Sequence, residues 1–197
     1  MTKHAVLAID PEGPFSLAAS ARFMCRFAPL RSTSAGSAAA LRFAFVVDGY
    51  RESAAVRVTQ EPHPVARRGR VLVTAFGATD PRIIEAQVRR ILSLDRPGDS
   101  YVAVGDRDPV VRRLLEAKDY LRPVCFHSAY EAAAWSVLMG RGSMAQAETL
   151  RAGIAGQLGD RFLVDGIELR SFPRSSTSAR PGRSTISRWG SRACTPR

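Results

Sequence analysis

The chain has 197 residues, enough for one large domain or two small ones, and its hydrophobic content of 45% suffices to bury a core. No apolar run is long enough to cross a bilayer, and the N-terminus lacks the basic and apolar regions of a signal peptide. The net charge of +11 favours nucleic acid as a partner.

The first third of the chain has the pattern of a small antiparallel sheet. Three β-rich runs, 41–47, 55–59 and 70–76, follow one another with no helical crossover between them. Asp48-Gly49 after the first run predicts a hairpin turn, although the return strand is delayed. We also expect an edge strand at Phe15–Leu17, followed by a short helix near 21–27.

From Asp80 onward the apolar spacing becomes helical. Asp80-Pro81 and Asp108-Pro109 each place a capping carboxylate before a proline in the first helical turn. These pairs predict two helices, the first of which ends near Ser93. The apolar residues that would line their buried sides are Ile83, Ile84, Val88, Ile91 and Leu92 in the first helix, and Val110, Val111, Leu114 and Leu115 in the second.

Two further helices, 129–142 and 144–158, are predicted on either side of a Gly-Arg-Gly turn. Ser128 with Glu131 and Ser143 with Gln146 have the spacing of capping boxes. Gly159 suits a left-handed residue at the end of the second helix. The apolar stripes are Trp135, Leu138 and Met139 in one helix, and Leu150, Ile154 and Leu158 in the other. On this basis alone the pair is a helix–turn–helix unit that needs a core.

The last part of the chain changes in character. An Asp-Gly turn between Asp165 and Glu168 predicts a surface hairpin. From Ser171 onward there are six arginines and no acid, and without them the net charge would be +5. This Arg/Ser/Pro/Gly composition is typical of a disordered segment. It is interpreted either as a basic tail that neutralises phosphates or as the product of a shifted reading frame.

Cysteine and histidine spacing argues against a bound metal. Cys25, Cys125 and Cys194 are widely spaced, odd in number and without a metal-ligand pattern, which fits a reduced cytoplasmic setting. His4 and His63 have no ligand partners at a suitable spacing. We therefore expect a cytoplasmic protein with no metal, no other cofactor and no membrane association.

Taken together, the patterns predict an α+β fold with three parts. Residues 1–77 would form the sheet-containing subdomain and residues 78–172 a helical segment. Residues 173–197 would form a disordered basic tail.

The order and spacing of several segments resemble bacterial 3-methyladenine DNA glycosylases of the helix-hairpin-helix superfamily. The segments that carry the resemblance are 40–45 with 47–49, 90–95, 107–110, 122–135, 144–147 and 171–173. The resemblance implies a sheet-containing domain beside an all-helical catalytic domain, and double-stranded DNA as the partner. Such enzymes flip a damaged purine out of the duplex and cut its glycosidic bond without a metal.

Two departures from the family pattern bear on activity. The family's turn between these two helices carries a Gln followed by a residue that wedges into the minor groove, and here Gly140 and Arg141 occupy those places. Arg141, with Ser143 beside it, is our candidate DNA-binding site, and a solvated cation is the alternative for Arg141. The second departure is that nothing after Pro173 matches the family's Leu-Pro-Gly-Ile-Gly loop and catalytic Asp. We therefore name no catalytic residue and expect a truncated glycosylase-family protein whose repair activity is lost, or else a non-catalytic DNA-binding module.

Two other groups of residues have competing interpretations. Cys125 and His127 have the composition of a nucleophile pair, but a packed Cys and a hydrogen-bonded His are the alternative. The basic cluster formed by Arg67, Arg68 and Arg70 either contacts phosphate or lies in a solvated loop.

Overall fold

The computed structural model describes residues 4–37, 39–65, 68–77, 79–140 and 142–175. The strands of the main sheet are β1 (His4–Ile9), β2 (Ser34–Gly36), β3 (Leu41–Val46), β4 (Ser53–Gln60) and β5 (Val71–Phe76). The helices are α1 (Leu17–Met24), α2 (Ala28–Arg31), α3 (Pro81–Ile91), α4 (Gly98–Arg107), α5 (Pro109–Ala117), α6 (Ala129–Met139) and α7 (Met144–Leu158). A hairpin of β6 (Arg161–Val164) and β7 (Ile167–Arg170) follows.

The five main strands form one antiparallel sheet in the order β1-β5-β4-β3-β2, which confirms the α+β prediction. The three central strands lie where the β-rich runs predicted them. The turn after β3 needs two left-handed residues, Gly49 (φ 94°) and Tyr50 (φ 63°). The predicted edge strand at Phe15–Leu17 is wrong, because the Ser16 hydroxyl accepts a hydrogen bond from the Ala19 amide and so starts α1. The edges are β1 and β2 instead.

Alternate residues of the central strands point into one core. Phe43 pairs in register with Val56, which pairs with Ala75, and all three are buried on the same face of the sheet. Helices α1, α2 and α3 cover that face with Leu17, Met24, Leu30, Ile84, Val88 and Ile91. Burial of each such side chain contributes about 1.5–3 kcal/mol, so this layer stabilises the packing of the helices on the sheet.

The β6–β7 hairpin covers part of the opposite face. Val164 and Leu169 are buried against Ala44 and Ala55, which are the outward residues of β3 and β4. The hairpin turn has Asp165 at φ 49° and Gly166 at φ 77°, as a type I′ turn requires. The surface hairpin predicted from the Asp-Gly pair is therefore confirmed.

Helices α3 and α5 begin at the predicted positions, directly after their capping residues. The Asp80 carboxylate accepts a hydrogen bond from the Arg82 amide at 2.9 Å, and the Asp108 carboxylate accepts one from the Val110 amide at 2.8 Å. Helix α4 was not predicted from the sequence. It begins at a glycine and no side chain caps it, so it lacks the local signals that mark the other two.

The residue that ends α7 behaves differently from the prediction. Gly159 is extended (φ −78°, ψ 153°) rather than left-handed, because the chain runs directly from α7 into β6. A side chain at this position would collide with the Ser171 carbonyl oxygen. Glycine is therefore needed here for close approach of two backbones, and not for a positive φ.

The start of the predicted tail has defined contacts. The Arg174 guanidinium lies 2.9 Å from the Asp160 carboxylate, and the Ser175 amide donates a hydrogen bond of 2.9 Å to the Tyr50 carbonyl. The rest of the predicted disordered segment, residues 176–197, lies outside the described residues. The division of the chain at residues 77 and 172 stays a prediction.

Candidate nucleic-acid interface

Helices α6 and α7 form a hairpin, and the described residues of the turn between them face solvent. The described turn residues Gly140, Gly142 and Ser143 are all exposed. Apolar side chains flank the turn, since Val137 is 80% exposed and Met144 is 57% exposed. The 15-residue helix α7 also begins here, so the positive end of its dipole points toward the turn. An apolar and electropositive end of this kind can contact deoxyribose and phosphate groups.

Ser143 caps α7 in the way the sequence predicted. Its hydroxyl accepts a hydrogen bond from the Gln146 amide at 3.3 Å, while the Ser143 amide donates to the Gln146 side-chain oxygen at 2.8 Å. The capping box is therefore complete. Ser143 fixes the direction in which α7 leaves the turn, and its role in DNA binding stays a prediction. Arg141, the other candidate, lies outside the described residues.

A buried ion pair joins the two helices below the turn. Glu131 of α6 and Arg151 of α7 are 2.5 Å apart, with both side chains almost completely buried. Glu131 also accepts a hydrogen bond from the Val46 amide of β3 at 3.1 Å, and Arg151 donates one to the Ser32 hydroxyl at 2.9 Å. The pair thus fastens the helical hairpin to the end of β3 and to the end of α2.

This arrangement corrects one of the two predicted capping boxes. The Ser128 hydroxyl accepts a hydrogen bond from the Glu131 amide at 3.2 Å, as expected. The Glu131 carboxylate, however, bonds with Arg151 and Val46 rather than with the Ser128 amide. A buried cation is a stronger partner for a carboxylate than a backbone amide, so the long-range contact prevails over the local one.

The ionisation of the pair follows from these contacts. Burial by itself would raise the pKa of Glu131, but His127, Arg151 and the Val46 amide outweigh it and hold that pKa below its ordinary value. Burial lowers the pKa of Arg151, while Glu131 acts against that change. Because both groups are shielded from solvent, the Glu131 carboxylate is a structural charge and is not accessible to a substrate.

His127 and Cys125 do not form a nucleophile pair. The His127 ring is fully buried and stacks on Phe43 with a centroid distance of 5.1 Å, whereas Cys125 is exposed. His127 Nδ1 lies 3.6 Å from the Glu131 carboxylate, slightly beyond hydrogen-bond length. The alternative of a packed Cys is also wrong, since Cys125 is exposed, whereas the His127 ring is packed beside the Glu131 carboxylate.

A second buried side chain fastens the same corner of the sheet. Gln87 of α3 donates hydrogen bonds to the carbonyls of Val46 and His127 at 3.0 and 2.8 Å. Its side-chain oxygen accepts from the Asp48 amide at 2.9 Å. Gln87 therefore links the loop that precedes α6 to the end of β3.

The basic cluster before β5 is partly neutralised. Arg68 pairs with Asp99 at 2.6 Å and Arg70 pairs with Asp10 at 3.0 Å, while Arg67 lies outside the described residues. The guanidinium groups of Arg68 and Arg70 each have a carboxylate neighbour, which favours the interpretation as a solvated loop over phosphate contact.

Within the described ranges, no three His, Cys, Asp or Glu side chains are grouped so that they could hold a metal ion. In the same ranges, no helix is long and apolar enough to cross a membrane.

No protein-family model and no curated protein matches the sequence. Among solved structures, the 3-methyladenine DNA-glycosylase from Archaeoglobus fulgidus is similar, with a TM-score of 0.62 and 23% identity. The match covers 85% of this chain and 56% of that protein. The apo 8-oxoguanine glycosylase/lyase of Clostridium acetobutylicum matches with a TM-score of 0.53 and 10% identity, over 90% of this chain and 56% of that one.

The chain has a DNA-glycosylase fold. The glycosylase fold confirms the resemblance that the ordered segments indicated. The chain spans little more than half the length of the two solved glycosylases that it matches.

The residues that fasten this glycosylase fold together were missed from the sequence. Arg151 is flanked at a spacing of four by Ala147 and Ala155, and all three are buried. Small residues on either side of a cation on one helical face are the one local sign that Arg151 points inward. Glu131 gave no such sign, because its position in a helical first turn also fits a capping box.

Proposed function

We propose that the chain binds double-stranded DNA through the α6–α7 turn and that, by itself, it does not release bases. The observation that carries the proposal is the exposed turn on a DNA-glycosylase fold, with Val137 and Met144 on its flanks and the start of α7 at its base. The sequence places Arg141 between Gly140 and Gly142, where a cation suits the negative potential of the minor groove. We propose a cytoplasmic location for this activity.

The proposal that base excision is lost has two supports. The sequence after Pro173 has no match to the Leu-Pro-Gly-Ile-Gly loop and Asp of the family that the chain resembles. The one buried carboxylate among the described residues, Glu131, is paired with Arg151 and shielded from solvent. The alternative, a non-catalytic DNA-binding module, makes the same prediction for binding.

Binding is tested by fluorescence anisotropy with a short labelled duplex at several salt concentrations. We expect Arg141→Ala to weaken binding and to lower the salt slope by about 0.9 if its contact is to one phosphate. Arg113→Ala removes an exposed arginine on α5 and is the charge-matched control. Equal effects of the two substitutions would show that net charge, and not the turn, determines binding.

The contribution of the tail is separated by removing residues 176–197, which carry five of the arginines that follow Ser171. If the turn binds DNA, Arg141→Ala weakens binding in the shortened chain as well. Excision is tested by incubating the chain with methylated DNA and measuring free 3-methyladenine by chromatography. Release of the base above the rate of a protein-free control would refute the claim that excision is lost.

A further inference from the structure

A cavity of about 670 Å³ lies among α1, α4, α5 and the segment 120–124. Its volume is within the range of about 300–1,000 Å³ that is usual for small-molecule sites. The lining is mostly apolar and includes the rings of Phe23, Tyr101 and Tyr120. None of these residues belongs to the proposed DNA-binding turn.

The walls of the cavity are held by a buried arginine. Arg122 donates hydrogen bonds to the carbonyls of Pro14, Ser93 and Arg96 at 3.0–3.1 Å, and to that of Glu12. It therefore joins three separate stretches of backbone. Burial lowers the pKa of Arg122, while the carboxylates of Asp99 and Glu12 act in the opposite direction.

The close approach of these stretches depends on a glycine. A side chain at Gly98, the first residue of α4, would collide with Arg122 and would place its Cβ 2.9 Å from the Glu12 carbonyl oxygen. The Ser93 hydroxyl donates a hydrogen bond of 2.6 Å to the Pro123 carbonyl and closes another part of the wall. A cavity with walls fixed in this way is formed before a ligand arrives, which lowers the entropic cost of binding.

The hydrogen bonds made by the polar groups of the wall determine which kind of ligand the cavity can bind. The Ser93 hydroxyl and the Arg122 guanidinium are engaged by backbone carbonyls, so the inner surface offers mainly aromatic and aliphatic contacts. Arg96 also lines the cavity, but its side chain is 80% exposed and its nearest acidic partner, Asp95, is 4.0 Å away. A cation at the opening of an aromatic cavity complements a flat apolar body that carries one negative charge.

We propose that this cavity binds a small planar aromatic anion, with the aromatic body among Phe23, Tyr101 and Leu115 and the anionic group at Arg96. The site is separate from the proposed DNA-binding turn and does not depend on it. The inference concerns the chemical class of the ligand, namely an aromatic ring system of one or two fused rings with a carboxylate or sulfonate.

The probe is 1-anilinonaphthalene-8-sulfonate, followed by its fluorescence, with N-phenyl-1-naphthylamine as the neutral compound of the same aromatic body. Val102→Trp fills the cavity from a half-buried position on α4, and we expect it to abolish binding of both compounds. Ala103→Trp adds the same ring to an adjacent exposed position that does not line the cavity, and should leave binding unchanged. Circular dichroism and thermal melting check that both variants are folded.

Arg96→Gln tests the contribution of the charge to binding separately from that of the apolar cavity. This substitution should weaken binding of the sulfonate by up to about fivefold, as expected for one exposed charge pair. Binding of the neutral compound should be unaffected. Arg107→Gln, at the last residue of α4 and outside the cavity lining, removes the same charge and is the matched control. The amide signals of Gly98, Val102 and Leu115 should shift when the sulfonate is added to the 15N-labelled full chain. Binding that survives Val102→Trp, or amide shifts confined to α6 and α7, would overturn the proposal.

Discussion

The buried pair of Glu131 and Arg151 gives the sharpest test of how the helical hairpin is held to the sheet. Arg151→Met keeps most of the side-chain length but leaves the Glu131 carboxylate without its cation. Since both side chains are at most 2% exposed, the loss is not screened by solvent, and we expect it to cost about 3–5 kcal/mol. That is a large part of the total stability of an ordinary domain, about 5–15 kcal/mol.

A second substitution isolates the buried charge. In the double variant Glu131→Gln with Arg151→Met no ion of this pair remains, while the Gln oxygen can still accept the hydrogen bond from the Val46 amide. We expect this variant to regain about 1–3 kcal/mol relative to Arg151→Met alone. The free energy of unfolding is measured by urea titration, followed by circular dichroism.

The pH dependence has a definite sign. The pKa of Glu131 is lower in the folded protein than in the unfolded chain, so the pair stabilises the native chain above about pH 4.3 and this contribution is lost as the pH falls through the folded pKa. Without Arg151, burial raises the pKa of Glu131, and the variant is then destabilised as the pH rises through that value. The difference in the free energy of unfolding between the unsubstituted chain and Arg151→Met must therefore shrink from pH 7 toward pH 4. A loss below about 1 kcal/mol at pH 7, or a difference that is constant with pH, would refute the reasoning.

Two further predictions follow from local geometry. Gly159→Ala should destabilise the chain by about 1–3 kcal/mol because its Cβ collides with the Ser171 carbonyl, whereas Gly156→Ala, an open position within α7, should stabilise it by about 0.5–1 kcal/mol in the same urea titration. If both substitutions shift stability in the same direction, the close contact is not as described. Iodoacetamide should modify exposed Cys125 faster than half-buried Cys25, whose pKa is raised by burial, and peptide mass spectrometry after timed quenching gives the order. Faster labelling of Cys25 would contradict its burial.

The parts of the fold that were predicted from the sequence depend on local signals. The capping carboxylates of Asp80 and Asp108, the capping box of Ser143 and the Asp-Gly hairpin each involve residues within a few positions of one another. The β-rich runs at 41–47 and 70–76, which became β3 and β5, are likewise properties of neighbouring residues. Such features can be recognised without knowing what packs against them.

The parts that were missed depend on distant residues. Glu131 is separated from Val46 by 85 positions and from Arg151 by 20, so its partners cannot be deduced from its neighbours. Gly159 is constrained by Ser171 across the turn of a hairpin, and not by its own helix. The DNA-binding candidates were predicted from the sequence, and the structure adds that the turn beside them is exposed. The cavity beside Arg122 was not indicated by any sequence pattern.

The β6–β7 hairpin has a consequence for how the chain is made. The turn residue Asp165 bonds with Arg42 across 123 positions of sequence, and the hairpin covers Ala44 and Ala55 of strands that are synthesised much earlier. Contacts between such distant residues slow folding, because a long stretch of chain must be closed before they form. During translation, the part of the sheet around Ala44 and Ala55 therefore stays uncovered until the ribosome has released residue 170.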